Sequence, residues 1–250
     1  MASSSLPRIV VKSLEAILGE LFIVTNLRRL PSRRNEVYKI EGVIAPDPSL
    51  LRLVAKLYHA PGIAQESSIL RQAIQQQIPV PRVLGTTTEV LLLEYIDGPN
   101  LCDLITVYPA PHYAHLLAAW FAQFHSAFTR NSDQVLLKGD ARIRNFLVSF
   151  DRVVGVDFEE SQTGSYIHDL AVVCGSILDT TPLFTTEKWH LCQKFLQWYS
   201  VLRPVTTLAQ LTSETTRVLI KVLHETATRR GHPSDFLKLI SQLENGDYTL

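Results

Sequence analysis

Apolar residues recur at helical spacing near the start of the chain. Leu14, Ile17, Leu18 and Leu21 share one stripe of the segment Val11 to Ile23, which predicts an amphipathic helix there. Val37 to Ile40 and Leu51 to Leu57 are short β-prone runs, separated by the turn-rich Pro46-Asp47-Pro48-Ser49. Gln65 to Gln77 again has a helical stripe (Ile69, Leu70, Ala73, Ile74) and stops before Pro79-Val80-Pro81. Val90 to Ile96 is almost continuously apolar and is bounded by Asp97-Gly98-Pro99-Asn100, which predicts a buried strand and then a turn. Beyond that break helical patterns dominate, over 112–128, 170–178, 188–202, 208–228 and 235–243. One island interrupts them: Asn145 to Phe150 and Val153 to Phe158, joined by Asp151-Arg152, read as a β-hairpin. The pattern predicts an α+β chain of two lobes, a strand-rich 1–97 and a helix-rich 98–250, with a cleft between them.

Composition narrows the function classes. Apolar residues make up 46% of the 250, enough for a sizeable core. Lys plus Arg equals Asp plus Glu, 24 against 24, so the chain lacks the basic surplus of a protein that grips duplex nucleic acid. The three cysteines are far apart, in no CxxC or Cys/His cluster, and read as free thiols rather than a disulfide framework or zinc site. Lys12, Glu15 and Glu20 interrupt the first apolar segment, and no later apolar run reaches 18 residues. The expectation is a soluble cytoplasmic protein with no membrane partner.

The segment Leu136 to Glu160, LLKGDARIRNFLVSFDRVVGVDFEE, concentrates the candidate chemistry. Asn145 and Asp157 flank the hairpin, and two such oxygen donors suit a hard cation such as Mg²⁺. Asp140 precedes them, where a general base would meet an incoming hydroxyl. Two readings stay open: that chemistry, or turn residues (Asp140, Asn145) and a strand-end cap (Asp157).

The ensemble resembles the protein-kinase-like superfamily, whose catalytic loop reads H-R-D-x4-N and whose metal aspartate opens D-F-G. Lys138-Gly139-Asp140 with Asn145, and Asp157-Phe158-Glu159, are most similar to the aminoglycoside phosphotransferases and choline kinases. The segments Trp120 to Ser126, Ser165 to Ala171 and Ile78 to Gly85 also resemble stretches of that family. The resemblance spans roughly residues 30 to 180 in continuous order. It implies a two-lobe protein-kinase-like fold, with a β-rich N-terminal lobe carrying one main helix and a mainly helical C-terminal lobe carrying the catalytic hairpin. It further implies ATP and Mg²⁺ as cofactors and a small-molecule hydroxyl as acceptor. Asp140 is then the catalytic base, and Asn145 and Asp157 the metal ligands. Lys56, closing the run Val54-Ala55-Lys56, contacts the α- and β-phosphates, Val54 faces the adenine, and the Glu94 carbonyl and Ile96 amide serve as the hinge. Glu66 shares the apolar stripe of its helix and either pairs with Lys56 or lies in an exposed first turn. Asp169 braces the catalytic loop, and His125 and His168 are structural.

The sequence departs from the family at several points. The phosphate loop lacks glycines and carries Arg33 and Arg34, either as a source of positive charge or as a solvated turn. Lys138-Gly139 stands where a histidine or arginine is expected. Arg142 either offsets charge on the transferred phosphoryl group or is a surface residue, and Arg144 has no assigned task. Only eleven residues separate Asp157 from Asp169, with no long segment to dock a peptide. This favours a small acceptor, or an atypical protein kinase such as those of the tRNA-modification complex. The missing glycine loop and histidine also leave open a nucleotide-binding pseudokinase scaffold with a protein partner. The helices after Lys188 are expected to build the acceptor pocket.

Overall fold

Alternation along the strands sets the first half of the structure, a computed structural model that describes residues 6–32, 34–131, 134–230, 233–246, 248 and 250. The chain forms two compact units, 1–97 and 98–250.

In the first unit, helix α1 (Arg8–Leu18) precedes strands β1 (Phe22–Leu30), β2 (Glu36–Ile44) and β3 (Asp47–Leu57). Helix α2 (Ile63–Gln75) follows, then β4 (Val83–Thr86) and β5 (Val90–Glu94). The strands make one antiparallel sheet in the order β1-β2-β3-β5-β4. Leu53, Ala55 and Leu57 on β3 and Val90 and Leu92 on β5 bury one face with Tyr38 and Ile40, and Val10 and Leu14 of α1 close over it. Because side chains alternate, Val54 and Lys56 take the other face, paired in register with Leu93 and Leu91. The first predicted helix runs five residues too far. Gly19, at φ 91°, caps α1, and the β-branched run after Phe22 enters the edge strand β1 instead.

The second unit begins with α3 (Leu101–Val107), which the apolar pattern does not announce, and α4 (Pro111–Ala127). Strand β6 (Gln134–Leu137) pairs with β9 (Gln162–Ser165), and a 3₁₀ turn, Ile143–Asn145, leads into the hairpin β7 (Phe146–Ser149) and β8 (Arg152–Gly155). Helices α5 (Tyr166–Leu178), α6 (Thr186–Leu202), α7 (Leu208–Arg230) and α8 (Pro233–Glu244) complete it. Its core is aromatic around α4. Trp120 stacks on Phe124 with centroids 4.9 Å apart and meets Phe146 edge-on at 5.1 Å and Phe158 at 6.2 Å. A side chain at Gly155 would strike the Trp120 ring, so the hairpin packs directly on that indole. Among the described residues no helix is long and apolar enough to cross a membrane.

Candidate active site

In the first unit, β3 delivers Lys56 and the first turn of α2 delivers Glu66. Their side chains are 7% and 1% exposed, and Lys56 Nζ lies 2.9 Å from Glu66 Oε2. The Tyr58 hydroxyl also hydrogen-bonds to this carboxylate, and the Lys56 ammonium lies 5.1 Å from the centre of the Tyr58 ring. Burial excludes the exposed-turn reading of Glu66: a carboxylate out of water needs such partners. Val54, half-buried, occupies the same sheet face as Lys56. Glu94 ends β5, where its amide donates to the Arg82 carbonyl at 3.0 Å and its side chain pairs with Arg82. Ile96 follows, half-buried, after Tyr95 donates its amide to the Arg52 carbonyl at 3.3 Å. Arg33 lies outside the described residues, and Arg34 is exposed.

In the second unit one buried lysine organises the loop. Lys138 follows β6 at 0% exposure, and its ammonium donates to the carbonyls of Asp140 at 3.0 Å and Asp157 at 2.9 Å. The cation therefore ties the backbone of the proposed base to that of the proposed metal ligand. It also lies 5.4 and 5.1 Å from the ring centres of Phe146 and Phe158. Asn145 donates Nδ2 to the Asp140 carbonyl at 3.0 Å, which leaves its amide oxygen as the atom that could ligate a cation. Its own carbonyl accepts from the Val156 amide at 2.9 Å, joining it to the strand that leads to Asp157. Asp157 has φ 64°, a left-handed conformation that costs a non-glycine residue about 1 kcal/mol or more. Gly139 has φ 84°, and a Cβ there would come within 2.2 Å of the Glu160 carbonyl oxygen, so only glycine fits between Lys138 and Asp140.

Asp169, fully buried in the first turn of α5, accepts from the amides of Lys138 at 2.7 Å and Gly139 at 3.3 Å. It faces His125 Nε2 at 3.2 Å, while His125 Nδ1 lies 2.9 Å from the Tyr199 hydroxyl and Arg203 donates to that hydroxyl at 3.3 Å. A carboxylate only accepts, so the imidazole proton sits on Nε2 and Nδ1 accepts from Tyr199. Burial holds the His125 pKa below its ordinary value, against the smaller upward pull of Asp169, so the ring is neutral. His168 is half-buried on α5.

Arg142 Nε stands 3.5 Å from Asp140 Oδ1, and the Arg144 guanidinium 3.6 Å from Oδ2, one on each oxygen. Arg144 and the clamping role of Lys138 escaped the sequence reading. Their signals were present: Arg144 lies four residues from Asp140, and Lys138 ends the apolar run Val135-Leu136-Leu137, where an ammonium must be buried and satisfied.

The sequence matches no family model and no curated protein. Solved structures do resemble it. A choline kinase from Cryptosporidium parvum superposes with a TM-score of 0.70 at 11% identity, over 95% of each chain. Amicoumacin kinase, in complex with AMP-PNP, Ca²⁺ and Ami, gives a TM-score of 0.67 at 11% identity, over 97% of this chain and 94% of that one. The macrolide 2′-phosphotransferase of Brachybacterium faecium gives 0.60 at 15% identity, over 94% and 97%. The five-stranded antiparallel sheet followed by a helical part is thus the kinase-like fold of these choline kinase, amicoumacin kinase and macrolide phosphotransferase structures.

Proposed function

We propose that the chain is an ATP- and Mg²⁺-dependent phosphotransferase acting on a hydroxyl of a small molecule in the cytoplasm. The observation that carries the reading is the Lys138 clamp. A single buried ammonium holds the Asp140 and Asp157 carbonyls, with Asn145 bonded to one of them, so the backbones of the candidate base and the two candidate oxygen ligands are tied together across the hairpin. The left-handed Asp157 supports it, since strain of this kind persists where a side chain must be aimed.

In this reading Lys56, held by Glu66, binds the nucleotide phosphates, Val54 packs on the base, and the Glu94 carbonyl and Ile96 amide bind its edge. Asn145 and Asp157 hold the metal, which would offset negative charge on the phosphates. Asp140 accepts the proton as the acceptor oxygen bonds to the γ-phosphorus and the bridging oxygen leaves with ADP. Arg142 offsets charge developing on the transferred group.

Asp140→Asn tests the assignment. ADP release in the presence of hydroxyl acceptors is expected to fall by about 10²–10⁴-fold, the usual contribution of a positioned base, with nucleotide affinity unchanged. Wild-type turnover in that variant sinks the role of Asp140. In thermal unfolding, MgATP at a hundred times its dissociation constant is expected to stabilise by about 2.7 kcal/mol, and Asp157→Ala to abolish the Mg²⁺-dependent part. No shift in wild type removes ATP from the reading.

A further inference from the structure

Within the second unit, a cavity of about 250 Å³ opens beside the catalytic loop, lined by Cys102 and Thr106 of α3, Arg142 to Arg144, Ser176 of α5 and Asp179 to Thr181 just after it. None of its lining comes from the helices after Lys188, where the acceptor pocket was expected, and Tyr199 of α6 is buried in the core network instead. The volume lies below the roughly 300–1,000 Å³ of ordinary ligand pockets, which suits an acceptor of monosaccharide size.

The lining has a definite chemistry. Among the described residues neither the Arg142 nor the Arg144 guanidinium makes a hydrogen bond, since their approaches to Asp140, 3.5 and 3.6 Å, are ion-pair distances only. Two forked donor groups therefore stand at the wall with their N–H bonds uncommitted, and the matching partner of such a fork is a carboxylate or phosphate. Asp179 is the one carboxylate in the lining. Behind the wall, Lys188 is 2% exposed and donates to the Thr180 carbonyl at 2.6 Å and to the Pro182 carbonyl, adding a third positive charge and fixing the rim. Two acids lie near but outside the lining: Asp140, which faces both arginines at ion-pair distance, and Asp103, exposed on α3 and screened by solvent. The hydroxyls point to a second feature of the ligand. Thr106 donates to the Cys102 carbonyl at 2.7 Å, Ser176 to Val173 at 2.9 Å and Thr180 to Ile177 at 2.8 Å. With their protons committed to helix carbonyls, these oxygens can only accept, that of Ser176 already taking the Ile143 amide at 3.1 Å, and a ligand meeting them must bring O–H or N–H donors, which hydroxyls supply.

We infer that the acceptor is a small polyhydroxylated acid, with its carboxylate or phosphate on Arg144 and a hydroxyl turned to Asp140. The inference rests on the proposed phosphotransferase reading but concerns binding, which is measurable apart from it. Isothermal titration of the nucleotide-free full chain with gluconate, glucose 6-phosphate, glucose and choline provides the test. Both acids, or one of them, are expected to bind at least tenfold more tightly than glucose or choline, and which acid does so separates a carboxylate from a phosphate ligand. Arg144→Gln, at a half-exposed side chain, is expected to weaken that binding at least tenfold, with circular dichroism verifying its fold. Binding of neither acid, equal binding of glucose or choline, or an unchanged affinity in Arg144→Gln overturns the inference. Nucleotide-dependent stabilisation without acid binding sinks this inference alone. Acid binding without any response to MgATP sinks the phosphotransferase reading alone.

Discussion

Lys138 and Lys56 are two buried cations with opposite solutions to burial. Lys56 meets a carboxylate, Glu66, whereas Lys138 donates to two backbone carbonyls. The Lys56–Glu66 contact was legible because Glu66 falls on an apolar helical stripe, where a carboxylate demands a partner. The burial of Lys138 had a signal in the apolar run it ends, but its two acceptors did not, since backbone carbonyls carry no sequence signature. Removing one partner of a buried ion pair is far more damaging than the net worth of the pair, because the survivor stays desolvated. Glu66→Ala is therefore expected to destabilise the first unit by about 3–5 kcal/mol. Urea unfolding followed by circular dichroism reads the loss, and a change under 1 kcal/mol would contradict a buried pair.

Between elements, the chain Arg203–Tyr199–His125–Asp169 runs from α6 through α4 to α5 and ends on the amides of Lys138 and Gly139. Its proton balance makes stability depend on pH. His125 is held below its ordinary pKa of 6.5 in the fold, so as pH falls through 6.5 the unfolded chain takes up the proton first. The stability present above that pH is then lost as the pH falls towards the folded value. The urea midpoint of wild type should accordingly drop between pH 7.5 and 5.5 more steeply than that of His125→Gln, and parallel slopes would refute a neutral buried imidazole. The same scale shows where the sequence was readable. Helices α4 to α8 announced themselves through long periodic stripes. Strand β1 did not, because as a largely exposed edge strand it has no alternation, and Leu21 extends the apolar stripe of Leu14, Ile17 and Leu18 past Gly19, where α1 ends. Strands β4, β6 and β9, four residues each, are too short to show a period.

For the molecule as a whole, charge balance governs behaviour in solution. With 24 basic and 24 acidic residues and an isoelectric point near 7.1, little net repulsion separates molecules at neutral pH. Light scattering at low salt is expected to give a lower second virial coefficient at pH 7 than at pH 8.5; the reverse order would point to local patches rather than net charge as the controlling term. Most of the residues that carry the proposed chemistry were named from sequence, because side-chain identity at fixed spacing survives in a linear reading. The cavity was not, because its walls come from three segments, at 102–106, 142–144 and 176–181, that only the fold brings together. One packing detail gives the molecule an optical handle. Trp120 is 2% exposed and lies against the hairpin at Gly155, two residues before Asp157, while Trp198 is 40% exposed. Their fluorescence should therefore separate under a water-soluble quencher, with Trp198 extinguished first. The shielded emission that remains comes from Trp120 and the buried Trp189, and Trp189→Phe would leave Trp120 as a label-free reporter of any movement in the loop it supports.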